Sequence, residues 1–142
     1  MTTIQHHKIV PYSCAQMYQL INNVAAYPTF LPWCTQSKVL SESLEEMVAA
    51  ITVKELVSFT TKNQLIPNTS IDLQLQSGPF KQLHGHWQFT EISADESRID
   101  LLLEFTFSNK LLTFTFSSVF EKIGHELIKA FVKRAGELYD QN

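Results

Sequence analysis

The chain has 142 residues, of which 44% are hydrophobic and 18% charged, and its formal net charge is -3. That length and composition suit one domain over residues 1–142 with a buried core and exclude a disordered chain. No apolar run approaches the roughly 20 residues that cross a bilayer, and the negative balance excludes wholesale coating of a polyanion.

Residues 2–11 form a predicted opening strand that ends at Pro11, because proline cannot donate to a ladder. The start, Met1 to Lys8, has no apolar stretch of the secretory kind, and with Cys14 and Cys34 as expected free thiols it suits a cytoplasmic protein. Ser13 and Gln16 have the spacing of a capping box. Met17, Leu20, Ile21 and Val24 follow on one helical face, and the helix is expected to stop before Pro28.

From Trp33 onward the period changes to two. Ile71, Leu73 and Leu75 alternate with Asp72, Gln74 and Gln76, and Leu83, Trp87 and Phe89 oppose His84, His86, Gln88 and Thr90. Ile99, Leu101, Leu103, Phe105 and Phe107 share a third such face. Short turn signals at 67–69, 77–79 and 93–96 join these stretches, so the strands must be antiparallel neighbours. Residues 110–139 return to helical spacing. Phe116, Phe120, Ile123, Leu127, Phe131, Ala135 and Leu138 form one face, and Lys122, Glu126, Lys129 and Lys133 the other. Thr113 to Phe116 alternate locally like a strand, which blurs the start of this helix. Thirty helical residues span about 45 Å, enough to lie across a whole sheet. The expected class is therefore α+β: a curved antiparallel sheet gripping a long C-terminal helix.

Five blocks then carry a family pattern: Val10-Pro11-Tyr12-Ser13; Met17-Tyr18-Gln19-Leu20; Tyr27-Pro28-Thr29-Phe30-Leu31-Pro32-Trp33-Cys34; Gly78-Pro79-Phe80-Lys81 with Leu83-x-Gly85-x-Trp87-x-Phe89; and Ala130-Phe131-x-x-Arg134-Ala135. Over nearly its whole length the chain resembles the bacterial RatA-type ribosome association toxins, which group with mitochondrial coenzyme Q-binding proteins in the START-like, polyketide cyclase-like superfamily. The resemblance implies a helix-grip fold of about seven strands with a hydrophobic cavity under the helix. It also implies binding of the large ribosomal subunit, which blocks subunit association and translation initiation, and an antitoxin protein as a partner. A ubiquinone-like or other isoprenoid lipid is implied as an occupant, with no required cofactor and at most peripheral membrane contact. The chain departs from the pattern between Val53 and Phe59, where the strand connection is a few residues short and the cavity mouth is expected to change.

The sequence contains 10 Phe, 4 Tyr and 2 Trp, enough rigid apolar surface to line a cavity or to fill a solid core, and spacing alone leaves both open. The expected lipid-contacting side chains are Phe30, Leu31, Trp33, Phe80 and Trp87, followed by Phe89, Phe105, Phe107, Phe120 and Phe131. The proline-flanked loop from Phe30 to Cys34 is either a lip at one end of the cavity or a plug that seals it. Lys122, Lys129 and Lys133, with Arg134 beside them, are the candidate ribosome-facing set, although Glu126 and Glu137 also fit an ordinary salt-bridged surface helix. His84 and His86 share a strand face, but no partner stands at recognisable metal spacing, and no metal is expected. No nucleophile or acid–base motif appears, so no catalytic residue is assigned; a polyketide cyclase-like enzyme would need a titratable group inside the cavity.

Overall fold

The computed structural model describes residues 1–140. β1 (Thr2–Val10) stops at Pro11 as expected, and α1 (Cys14–Asn22) begins on a complete capping box. The Ser13 hydroxyl accepts from Gln16 N at 3.1 Å, and the Gln16 side chain accepts from Ser13 N at 2.9 Å. Together they satisfy two of the amide groups that open any helix.

The expected continuation of α1 to Pro28 is corrected. The helix ends at Asn22, and Val24–Thr29 tighten into a 3₁₀ turn with Pro28 inside it. The Tyr27 hydroxyl donates back to the Ile21 carbonyl, which satisfies an acceptor that the shortened helix leaves free.

Six further strands follow: β2 (Cys34–Glu42), β3 (Glu46–Val53), β4 (Val57–Ile66), β5 (Ser70–Ser77), β6 (Phe80–Ser93) and β7 (Glu96–Phe107). They form one antiparallel sheet in the order β1-β7-β6-β5-β4-β3-β2. Strands β2 to β7 are a meander, and β1 joins its far edge beside β7. Register shifts in β2, β5 and β6 place extra residues on one strand of a pair, which bends the sheet into a concave trough. The β3–β4 connection is only Lys54, Glu55 and Leu56, and the first two adopt φ of 52° and 62° to close it. Its amides are tied down as well, with Lys54 N donating to Trp33 O at 2.8 Å and Glu55 N to Thr35 Oγ1 at 3.0 Å.

α2 (Lys110–Tyr139) lies in the trough. Its start is fixed by Asn109, whose side chain accepts from Leu112 N at 2.9 Å. Thr113 and Thr115 fit the helix because their hydroxyls donate to the carbonyls of Asn109 and Leu111, at 3.0 and 2.8 Å. The local strand pattern is thereby overridden. Leu138 is corrected as an inward residue: it is 38% exposed, because Tyr139 makes the last tertiary contact, its hydroxyl donating to Gln16 O at 3.1 Å. Among the described residues no helix is long and apolar enough to cross a membrane.

α2 packs chiefly on β1 and β7, and Gly124 allows the close approach. A Cβ at this position would run into Ile4 Cδ1 and stand 3.2 Å from Leu103 Cδ2. Gly124→Val should therefore lift the helix and destabilise the fold by about 2 kcal/mol, read as a lower urea midpoint with an unchanged slope.

Candidate functional site

α2 reaches the sheet at two aromatic clusters. Phe120 enters the first, where Phe80 stacks on Phe107 with centroids 4.6 Å apart and Phe120 meets Phe107 edge-on at 5.3 Å. Phe59 and Phe105 complete it. Phe131 enters the second, meeting Trp87 at 5.6 Å, Tyr27 at 5.5 Å and Phe30 at 5.8 Å. The two phenylalanines are eleven residues apart, about 16 Å along one face of the helix. Between them α2 presents Ile123 and Leu127, which do not fill the distance to the sheet.

The result is a cavity of about 120 Å³, walled by Ile51, Val53, Phe59, Leu73, Leu101 and Leu103 among others. Trp33, Trp87, Phe105, Phe120 and Phe131 line it, so five of the ten aromatic and aliphatic candidates are brought together there. The other five are placed elsewhere. Phe80 and Phe107 spend their faces on each other, Phe89 packs edge-on against Tyr18, and Leu31 is fully buried in the second cluster. Phe30 lies outside, with the Arg134 guanidinium 5.3 Å from its ring centre. The loop that carries them divides its roles: Leu31 plugs the core, and Trp33 forms wall.

Tyr27, Ile51, Phe59, Thr61 and Gly85 line the cavity without having been expected. Gly85 continues the alternation of Leu83 and Trp87, which was the one signal for it. Tyr27 is the only acid–base group of the wall, and its proton is committed to the Ile21 carbonyl. Burial, with a smaller contribution from Cys34, pushes its phenol pKa far up. Thr61 is likewise spent, donating to buried Asn63 Oδ1 at 2.8 Å. Burial also pushes the Cys34 thiol up, so it is not a ready thiolate. Among the described residues no carboxylate, histidine or amine lines the cavity.

The charged groups lie outside. Lys122, Lys129 and Lys133 are exposed on the outer face of α2, and among the described residues none of them forms an ion pair. The expected Lys133–Glu137 pairing is corrected: Glu137 holds Arg134 at 3.2 Å, and the Arg134 guanidinium lies over the Phe30 ring.

On the outer face of the sheet, His84 and His86 meet carboxylates that sequence spacing did not reveal. Strand register brings Asp72 and Glu104 to them from β5 and β7. Asp72 Oδ1 is 2.9 Å from His84 Nε2 and 2.8 Å from His86 Nδ1, and Glu104 Oε1 is 3.3 Å from His84 Nδ1. Both His84 nitrogens thus face carboxylates, and no group among the described residues has the arrangement of a metal site. The Asp72 bond, aided by Glu104, raises the His84 pKa against the opposing effect of partial burial. For Asp72, partial burial favours the neutral acid, but bonds from His84, His86 and Gln74 outweigh it and lower the pKa.

The His84 contribution to stability is complete below its ordinary value of 6.5 and is lost as pH rises through the raised one. The Asp72 contribution is complete above 3.8 and is lost as pH falls through the lowered one. Stability from this clamp should peak between those two values. A Tm that declines from about pH 6 to about pH 8 in the parent, and declines less in His84→Gln, is the expected outcome of scanning calorimetry.

A family model described as polyketide cyclase / dehydrase and lipid transport matches residues 10–132. The persistence and stress-resistance toxin PasT of Escherichia coli O6:H1 is 45% identical over 142 residues, covering 98% of this chain and 90% of that protein. The ribosome association toxin RatA of Escherichia coli K12 is 44% identical with the same coverage. The mitochondrial coenzyme Q-binding protein COQ10 homolog B of Xenopus laevis is 28% identical, over 93% of this chain and 57% of that one. Among solved structures, the Zhui aromatase/cyclase from Streptomyces superposes with a TM-score of 0.80 over 94% of this chain and 93% of that one, at 16% identity, which shows a shared fold.

Proposed function

The chain belongs to the polyketide cyclase / dehydrase and lipid transport family, with the RatA-type toxins among its relatives, and on that premise we propose that it is a non-enzymatic ribosome association toxin. It binds the large ribosomal subunit, hinders its union with the small subunit and so blocks initiation. The observation that carries this reading is likeness over 98% of the chain to proteins named as toxins, one of them for ribosome association. The unpaired stripe of Lys122, Lys129 and Lys133 supports it physically, since amines free of carboxylates can each neutralise a phosphate.

A second reading is favoured by the cavity: the protein holds a quinone-like lipid. A volume of about 120 Å³ is close to the ~150 Å³ of an apolar cavity that takes benzene, so it admits a ring or a single prenyl unit. Each tail methylene removed from water would contribute about 0.8 kcal/mol. A cyclase-like reaction finds no support in the cavity, because its one titratable group is already bonded to the backbone.

The two binding functions separate by mutation. Lys129→Glu with Lys133→Glu should weaken association with purified large subunits at least tenfold and steepen no fold defect, read by sucrose-gradient profiles. A profile unchanged by this double reversal would remove the basic face from the reading. Ile123→Trp should fill the cavity and abolish quenching of tryptophan fluorescence by a short-chain ubiquinone, while leaving ribosome profiles unchanged. Equal quenching in the parent and Ile123→Trp would remove the lipid reading.

A further inference from the structure

The strand ends divide the molecule into two poles of opposite charge. One pole gathers the β3–β4 turn, the start of β6 and the first turns of α2, since Val53, Val57, Phe80, Phe107 and Leu112 pack together there. Ser108 N donating to Pro79 O at 3.0 Å ties the β5–β6 turn to the entry of α2. Above this cluster three large apolar side chains stand in water: Phe114 is 88% exposed, Leu111 73% and Leu56 69%. Beside them are the exposed amines of Lys54, Lys81 and Lys110, none in an ion pair among the described residues, against the single carboxylate Glu55. The far pole also exposes Leu44 and Ile66, but among Glu42, Glu45, Glu91 and Asp95.

We propose that the pole formed by Leu56, Leu111 and Phe114, flanked by Lys54, Lys81 and Lys110, docks on an anionic lipid bilayer. Charge selects the occupant. An anionic headgroup layer attracts three lysines within reach of its surface and accepts apolar side chains just below it. RNA would use the amines and stack bases on Phe114 but leaves Leu56 and Leu111 in water, and the acidic pole is repelled by the same membrane. Under the lipid-holding reading, on which the purpose of this docking rests, the position has a use. Val53, Phe59 and Phe120 belong both to this pole and to the cavity wall, so a lipid leaving the bilayer here enters beside them.

The test uses the full chain and vesicles of phosphatidylcholine, with or without phosphatidylglycerol, in a co-sedimentation assay. The parent should sediment with the anionic vesicles and be released by salt. Leu111→Glu with Phe114→Glu changes only exposed side chains, so its urea midpoint should match the parent's while its partition falls at least tenfold. Lys54→Glu with Lys110→Glu should cost about fivefold per lysine on anionic vesicles and nothing on neutral ones.

Failure of the parent to sediment overturns the proposal, as does sedimentation that neither pair of substitutions reduces. Two other outcomes overturn it by naming another occupant: a dimer that the apolar pair dissociates with vesicle binding intact, or loss of large-subunit binding alone. Quenching by the short-chain ubiquinone in vesicle-free buffer keeps the readings apart. If it persists while docking fails, the bilayer proposal is wrong and the cavity reading stands. If it fails while docking holds, the reverse is true.

Discussion

Beside the close approach at Gly124, the helix reaches the trough through two aromatic posts, Phe120 and Phe131, and most of what is distinctive here follows from the interval between them. Each is the centre of an aromatic cluster whose edge-to-face contacts are satisfied without the other. Eleven residues put both on one side of α2, so the helix rests on two posts. Close packing between the posts would need more bulk from Ile123 and Leu127, the two α2 side chains that line the cavity there. Gly124, between them in sequence, instead faces Ile4 and Leu103, where it brings the helix down on the β1 and β7 side.

Polarity is partitioned as strictly as volume. Inside, the two hydroxyls of the cavity wall are each consumed by a hydrogen bond, Tyr27 to Ile21 and Thr61 to Asn63. An apolar occupant therefore meets no free hydroxyl of Tyr27 or Thr61. Outside, the histidines, carboxylates and lysines are free to serve stability and recognition. Asp72, His84 and Glu104 couple three adjacent strands on the convex face, where a partly exposed cluster can titrate without opening the core.

Period-based reading recovered the elements that a repeating pattern specifies. The capping box of Ser13 and Gln16, the alternation in β5 to β7 and the long amphipathic α2 all announce themselves within a few neighbouring residues. Membership of the cavity wall did not, since period two says that Phe80, Phe105 and Phe107 face inward but not which rings will stack. Phe80 and Phe107 pair across strands in a register set by a bulge, and that pairing withdraws them from the cavity. Asp72 escaped as a partner of His84 for the same reason, twelve residues away in sequence and adjacent only through strand register. The early end of α1 depended on a tyrosine hydroxyl six residues downstream, a contact that no local spacing encodes.

The volume under α2 constrains any lipid reading more tightly than the lining does. At about 120 Å³ the cavity accepts a ring or a prenyl unit, whereas sites for larger ligands run from roughly 300 Å³ upward. A long isoprenoid must therefore leave most of its length outside or move a wall. One such wall is α2, which is anchored along one flank on β1 and β7, while its other flank faces β3 to β5 across the void. Tilting it about the Gly124 flank would separate Phe120 from Phe80 and Phe107 and would cost the contacts of one aromatic post. An occupant large enough to do this must replace those contacts with its own apolar surface. The exposed lysines ride on the same helix, so a filled cavity and an empty one would present the outer stripe at different angles.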